Sequence, residues 1–164
     1  MEDFILNKYI ECNLIKAERA YRKNDRSNIM TYDEIVNNNE DINDYEDGYM
    51  IKYPNDSIVW YSQKEFESSH LKLFNNSDLK SDISISQEMV EKFIDTIETK
   101  TIGNKTTLVI ATLINGYEIT ETSSCVDAAN YDEKIGAEIC INKIKNKIWE
   151  LLGFLLQTAK NGIK

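Results

Sequence analysis

The chain has 164 residues, of which 41% are hydrophobic and 29% charged, the proportions of a globular domain or of two small modules. A formal net charge of −9 argues against binding nucleic acid through its phosphates, because an acidic surface repels the backbone. Three cysteines (Cys12, Cys125, Cys140) without CxxC spacing, and one histidine, give neither a disulfide framework nor a structural metal site.

Met1-Glu-Asp-Phe lacks the basic and apolar regions of a signal peptide, and the apolar runs Leu108 to Ile114 and Trp149 to Leu156 are too short to span a bilayer. A soluble, cytosolic protein is expected. In chain order, Phe4 to Ile10 reads as a short strand and Leu14 to Lys23 as a short helix. An acidic loop from Asn37 to Gly48 follows. It mimics a calcium-binding loop, but alignment on Asp47-Gly48 places Tyr45 at a ligand position and Pro54 where the closing Glu belongs. Its carboxylates Asp41, Asp44, Glu46 and Asp47 are instead candidate contacts for a basic protein surface.

Gly48 to Tyr53 and Ser57 to Tyr61 flank Pro54-Asn55-Asp56 and predict a hairpin. Ser62 with Glu65 three residues later forms a capping box that opens a helix containing Phe66. Asn75 to Gln87 is polar and lacks aromatics, so it is the expected boundary between a module at 1–74 and a second at 85–164.

In the second module Ser86 caps a predicted helix over Gln87 to Ile97, where Val90, Phe93, Ile94 and Ile97 recur at helical spacing. Thr106 to Leu113 is apolar on both faces, as a buried central strand would be. Asn115-Gly116 predicts a two-residue type I′ turn, and Tyr117 to Val126 returns as the partner strand. The last helix is expected to start with Asn130 as N-cap and Glu133 at N3 and to end at Asn161-Gly162, with Gly153 a candidate bend. Ala137, Ile141, Ile144, Ile148, Leu151 and Leu155 form an a/d seam, for the chain's own core or for a second copy. The fold class is therefore α+β: small antiparallel hairpin sheets packed with helices, and a long C-terminal helix.

Catalytic patterns are missing. His70, in Ser68-Ser69-His70, lacks the companions of a nucleophilic triad and reads as a residue at a helix end. No GxGxxG or GxxxxGK[ST] occurs. The expectation is a protein that is not an enzyme and uses no cofactor. One grouping remains. Lys143, Lys145 and Lys147 are the cations between Glu138 and Glu150, and Lys143 and Lys147 share a helix edge. They read either as a solvated edge or, beside Thr122, Ser124, Asn130 and an aromatic ring at Tyr117 or Tyr131, as a ligand site. In the second case ammonium would meet phosphate, the hydroxyls and Asn would meet ribose, and a ring would meet a base.

Residues from about Ile85 to Leu156 resemble a widespread bacteriophage accessory-protein family first named from podophage early genes. Asn115-Gly116-Tyr117, Ser123-Ser124-Cys125-Val126-Asp127, Asn130-Tyr131, Gly136, Lys147-Ile148-Trp149-Glu150-Leu151 and Gly153-Phe154-Leu155-Leu156 carry the likeness. Family members often have arginines early in the last helix, where this chain has Glu138 and then lysines. The first module is similar to a unit found at the front of different phage proteins. The likeness there lies in Phe4-Ile5 and Lys8, in Glu46-Asp47-Gly48-Tyr49-Met50-Ile51-Lys52-Tyr53, and in Trp60-Tyr61-Ser62-Gln63-Lys64-Glu65-Phe66-Glu67.

Some proteins similar to the second module are anti-defence sponges of the Thoeris system. That resemblance implies a phage or prophage protein acting in the host cytoplasm. It would bind cyclic ADP-ribose isomers or cyclic oligonucleotides without hydrolysis, in homo-oligomers with pockets between subunits. The competing expectation, from the acidic loop, is an anti-CRISPR or other protein-directed inhibitor whose acidic surface occupies the basic nucleic-acid channel of a host defence nuclease.

Overall fold

The computed structural model describes residues 10–53, 56–74 and 79–163. It has two small antiparallel sheets and four α-helices, an α+β fold. The chain divides into two compact units. One spans Asn13–Lys72; the other spans Leu73–Lys164 and includes residues 10–12. The strand expected at Phe4 to Ile10 lies, but for Ile10, outside the described residues.

The first unit is a four-stranded sheet in the order β2-β1-β3-β4, built from β1 (Ala17–Lys23), β2 (Ile29–Met30), β3 (Tyr45–Lys52) and β4 (Ile58–Ser62). β3 and β4 are the expected hairpin, with Tyr49 opposite Tyr61 and Ile51 opposite Val59. The helix expected at Leu14 to Lys23 is a strand. Its helix-favouring residues Glu18, Arg19, Arg22 and Lys23 alternate across β1, where Arg19 pairs with Asp47 and Arg22 with Glu46 on β3. Pairing with β3 along its length and with β2 at its end outweighs a propensity of a few tenths of a kcal/mol per residue.

Helix α1 (Tyr32–Asn37), which the sequence reading passed over, is opened by a capping box between Thr31 and Glu34 and buries Ile35. The Ser62–Glu65 capping box opens α2 (Gln63–Ser69) as expected. Phe66 stacks on Tyr49 with ring centroids 4.2 Å apart, and His70 stacks on Phe66 at 4.1 Å and ends the helix.

The second unit is a three-stranded meander, β5 (Ile94–Ile102), β6 (Thr106–Leu113) and β7 (Glu118–Ser124), with α4 (Glu133–Asn161) across one face. The helix expected over Gln87 to Ile97 stops early. α3 covers Gln87–Lys92, and Ile94 already belongs to β5, paired with Leu113. Val90 and Phe93 enter the core, whereas Ile97 lies on β5 with 43% of its surface exposed.

β6 is central but not buried on both faces. Thr107, Val109, Ala111 and Leu113 are buried under α4, while Thr106, Leu108, Ile110 and Thr112 face away and are only half-buried. The turn after β6 also differs from type I′. Ile114, Asn115 and Gly116 form a three-residue loop closed by Leu113 N–H donating to the Tyr117 carbonyl at 2.8 Å. Only Gly116 takes positive φ, at 80°, as the last position of such a loop requires.

The N-cap of α4 is Asp132, not Asn130. Its Oδ1 accepts from the backbone N–H of Lys134 (2.8 Å) and Ile135 (3.2 Å). Asn130 instead ends a short 3-10 turn, Ala128–Asn130. Gly162, at φ 71°, closes the helix. The buried line of α4 is Gly136, Cys140, Ile144, Ile148 and Leu152, a strict four-residue repeat. Of the expected seam, Ile144 and Ile148 are buried and Ala137 and Ile141 pack half-buried against the core, but Leu151 and Leu155 are 44% and 43% exposed. The seam drifts because one straight helix on a sheet buries a single ridge of i, i+4 side chains, whereas the a/d spacing serves a supercoiled partner. No described helix is long and apolar enough to cross a membrane.

Candidate binding cleft beside the start of the long helix

The polar stretch that follows the hairpin turn is divided by the pleat of β7. Thr120, Thr122 and Ser124 pair with Ile110, Leu108 and Thr106, so they lie on the sheet face away from α4. Ser123 pairs with Thr107 and Glu121 with Val109, so these two face the helix. The hydroxyls of the outward set belong to a solvent-facing sheet surface, where Ser124 Oγ bonds Thr106 Oγ1 at 2.8 Å.

Lys143 and Lys147 lie on the other side. Both reach Glu121 on β7, Lys147 in a close ion pair and Lys143 at 4.0 Å, and Lys143 Nζ also donates to the Thr122 carbonyl at 3.1 Å. Glu121 keeps only 16% of its side chain exposed, so its carboxylate consumes the charge expected for a phosphate. Lys145 pairs with Glu91 of α3 at 3.1 Å and holds that carboxyl below the usual carboxylate range, after the larger effect of Gln87. Tyr117, more than half exposed, stands at the hairpin end of β7, about 23 Å along the strand from Ser124. The seven expected ligand residues are therefore not assembled in one place. Ser124, Asn130 and Tyr131 line one cleft, and Tyr117, Thr122, Lys143 and Lys147 are not part of its lining.

The cleft, of about 100 Å³, lies between the end of β7, the loop that follows it and the first two turns of α4. Gly136 lets the helix approach so closely that an added Cβ would stand 2.7 Å from Thr107 Cβ. Thr107, fully buried, bonds the Tyr131 hydroxyl at 3.0 Å, and Thr101 bonds the same hydroxyl at 2.8 Å. Thr101 also donates to Glu133 at the start of α4. Tyr131 is thus pinned by strands β5 and β6, and its ring forms part of the wall. Cys125 Sγ points to the Asp127 carbonyl at 3.0 Å.

Ser123, Asp132, Ile135 and Ile139 complete the lining together with residues named above. None of these four was among the expected ligand residues. Ser123 differs from its neighbours only by the parity of the strand, and Asp132 lost the cap to Asn130. Ile135 and Ile139, 58% and 43% exposed, flank the buried ridge rather than joining it.

The acidic loop forms no free cluster. Asp47 pairs with Arg19, Glu46 with Arg22 at 2.8 Å, and Asp41 Oδ1 caps a 3-10 turn at Ile42–Asp44. Asp47 raises the already high Arg19 pKa through its hydrogen bond, and Lys23 and Tyr45 hold the Glu40 carboxyl below its ordinary range.

Residues 84–160 match the family described as Phage protein (N4 Gp49/phage Sf6 gene 66) family. The C-terminal module, from α3 through α4, is thus similar to a phage protein family, and the match contains every residue of the cleft. No curated protein and no solved structure matches the chain.

Proposed function

We propose that the protein is a phage anti-defence factor that binds and sequesters a cyclic nucleotide immune signal, a cyclic ADP-ribose isomer or a cyclic oligonucleotide, without cleaving it. The observation that carries this reading is the cleft at the start of α4, in the phage-family module, walled by Ser123, Asn130, Tyr131 and Asp132 and rimmed by exposed Ile135 and Ile139. Hydroxyl and carboxamide groups suit a sugar, and apolar rims suit a base.

Sequestration requires only tight, preorganised binding. The double anchorage of Tyr131 by Thr101 and Thr107 supports a wall that is set before the ligand arrives. The lining holds no histidine, and its one thiol is turned to a backbone carbonyl, so the residues support holding rather than bond cleavage. At about 100 Å³ the cleft is smaller than the roughly 300–1,000 Å³ usual for ligand pockets. A second copy of the chain, packed over Ile135 and Ile139, is the proposed remainder of the site.

Titration calorimetry with cyclic ADP-ribose isomers and cyclic di- and trinucleotides tests the reading. Binding of at least one compound, with the compound recovered intact, is expected. Folded protein that binds none of them, or returns a linear product, refutes it. The alternative, a protein-directed inhibitor acting through Asp41, Asp44, Glu46 and Asp47, loses support because Asp47, Glu46 and Asp41 already serve partners within the chain.

A further inference from the structure

We infer that the cleft is a sugar subsite: it takes the hydroxyl-bearing edge of a ribose and turns phosphate away. The inference rests on the proposed function and names which part of the signal enters this chain.

The polar groups of the cleft are matched to hydrogen-bond donors and to neutral acceptors. Asp132 Oδ1 holds the first N–H groups of α4, and its second oxygen has no partner among the described residues. The side chains of Asn130 and Ser123 likewise have none there. An ionised carboxylate only accepts, a carboxamide both donates and accepts, and a hydroxyl does either. Together these three serve a vicinal diol. A carboxylate on ribose hydroxyls is the pairing that dinucleotide-binding folds use.

Charge decides against phosphate. Among the described residues no lysine or arginine side chain lines the cleft, and Lys143 and Lys147, further along α4, are bound to Glu121. A phosphate there would face the Asp132 carboxylate with no cation in the lining, and the repulsion grows as water is excluded. Size agrees with this. A cleft of about 100 Å³, below the roughly 300–1,000 Å³ of ordinary ligand pockets, is too small to enclose a whole nucleotide. Ile135 and Ile139 at the rim leave the base on the apolar side and the phosphates towards solvent or a neighbouring copy.

The experiment compares Asp132→Asn and Asn130→Ala with the unaltered protein. Asn caps a helix about as well as Asp, so Asp132→Asn keeps α4 while removing the charge, which circular dichroism verifies. The probes are cyclic ADP-ribose, a cyclic trinucleotide, adenosine, 2′,3′-dideoxyadenosine and inorganic pyrophosphate. Asp132→Asn is expected to weaken cyclic ADP-ribose or trinucleotide binding by about tenfold or more, the worth of one hydrogen bond to a charged group, and Asn130→Ala by about fivefold, the worth of a neutral one. Dideoxyadenosine is expected to bind more weakly than adenosine, and pyrophosphate not to compete. Tighter binding by Asp132→Asn, or displacement of the signal by pyrophosphate, overturns the subsite. A signal that binds equally well to all three proteins also overturns the subsite and leaves sequestration standing. Adenosine bound in preference to its dideoxy form, with no signal bound, supports the subsite and removes sequestration. If no sugar-bearing probe binds, both fall.

Discussion

Replacing Gly136 with alanine tests how the cleft is built. Glycine inside a helix costs about 1 kcal/mol relative to alanine, so the substitution should stabilise an open position by that amount. Gly153 is such a position, since nothing lies within 4 Å of where its Cβ would be. At Gly136 the new methyl would meet Thr107 Oγ1 and stand 2.7 Å from Thr107 Cβ. Thr107 is fully buried and its hydroxyl holds Tyr131, so it has nowhere to turn. Helix and sheet must separate, at an overpacking cost of about 1–3 kcal/mol.

Gly136→Ala is therefore expected to range from neutral to about 2 kcal/mol destabilising, and Gly153→Ala to stabilise by about 1 kcal/mol, a gap of about 1–3 kcal/mol between two chemically identical changes. Urea unfolding followed by the fluorescence of Trp149, which packs against this core, measures both. Combining Gly136→Ala with Thr107→Ala should recover part of the loss, a coupling of about 1 kcal/mol in a double-mutant cycle. Equal stabilisation by the two glycine replacements would mean that helix and strand are not in contact at Gly136, and the cleft floor described above would be wrong.

The register of α4 predicts that Ile148→Ala costs about 2–5 kcal/mol, since Ile148 is wholly buried, and that Leu151→Ala costs under about 1 kcal/mol. Unfolding curves with the reverse order would restore the a/d seam. The Glu34, Glu40 and Glu65 carboxyls of the first unit are all held below their ordinary value of 4.5, chiefly by bonds from Thr31, Lys23 and Ser62. Depressed carboxyls stabilise the folded unit above pH 4.5, and that contribution is lost as pH falls through their lower folded values. Trp60 fluorescence in a Trp149→Phe variant should therefore report unfolding of this unit at progressively lower urea below pH 4.5. A midpoint that does not move would contradict those bonds.

The elements with local signals were legible in the sequence. The capping box at Ser62 and Glu65, the β3–β4 hairpin, the central strand β6 and the long helix α4 follow from cap chemistry and periodicity within a few residues. What escaped was set by distant partners. β1 reads as a helix until β2 and β3 pair with it, and β5 reads as the tail of α3 until Ile94 meets Leu113. The site was partly legible for the same reason. Ser124, Asn130 and Tyr131 sit in one loop region, so proximity in sequence brought them together. Lys143 and Lys147 depended on which way the pleat turned Glu121, and no window of the sequence contains that information.

The central claim is that the chain retains an intact cyclic nucleotide. It is tested most directly by purifying the protein from cells that produce the signal, heating it, and analysing the released small molecules by mass spectrometry. The account predicts an unaltered cyclic nucleotide in amounts stoichiometric with the protein. Release of no nucleotide, or of a linearised one, would contradict it.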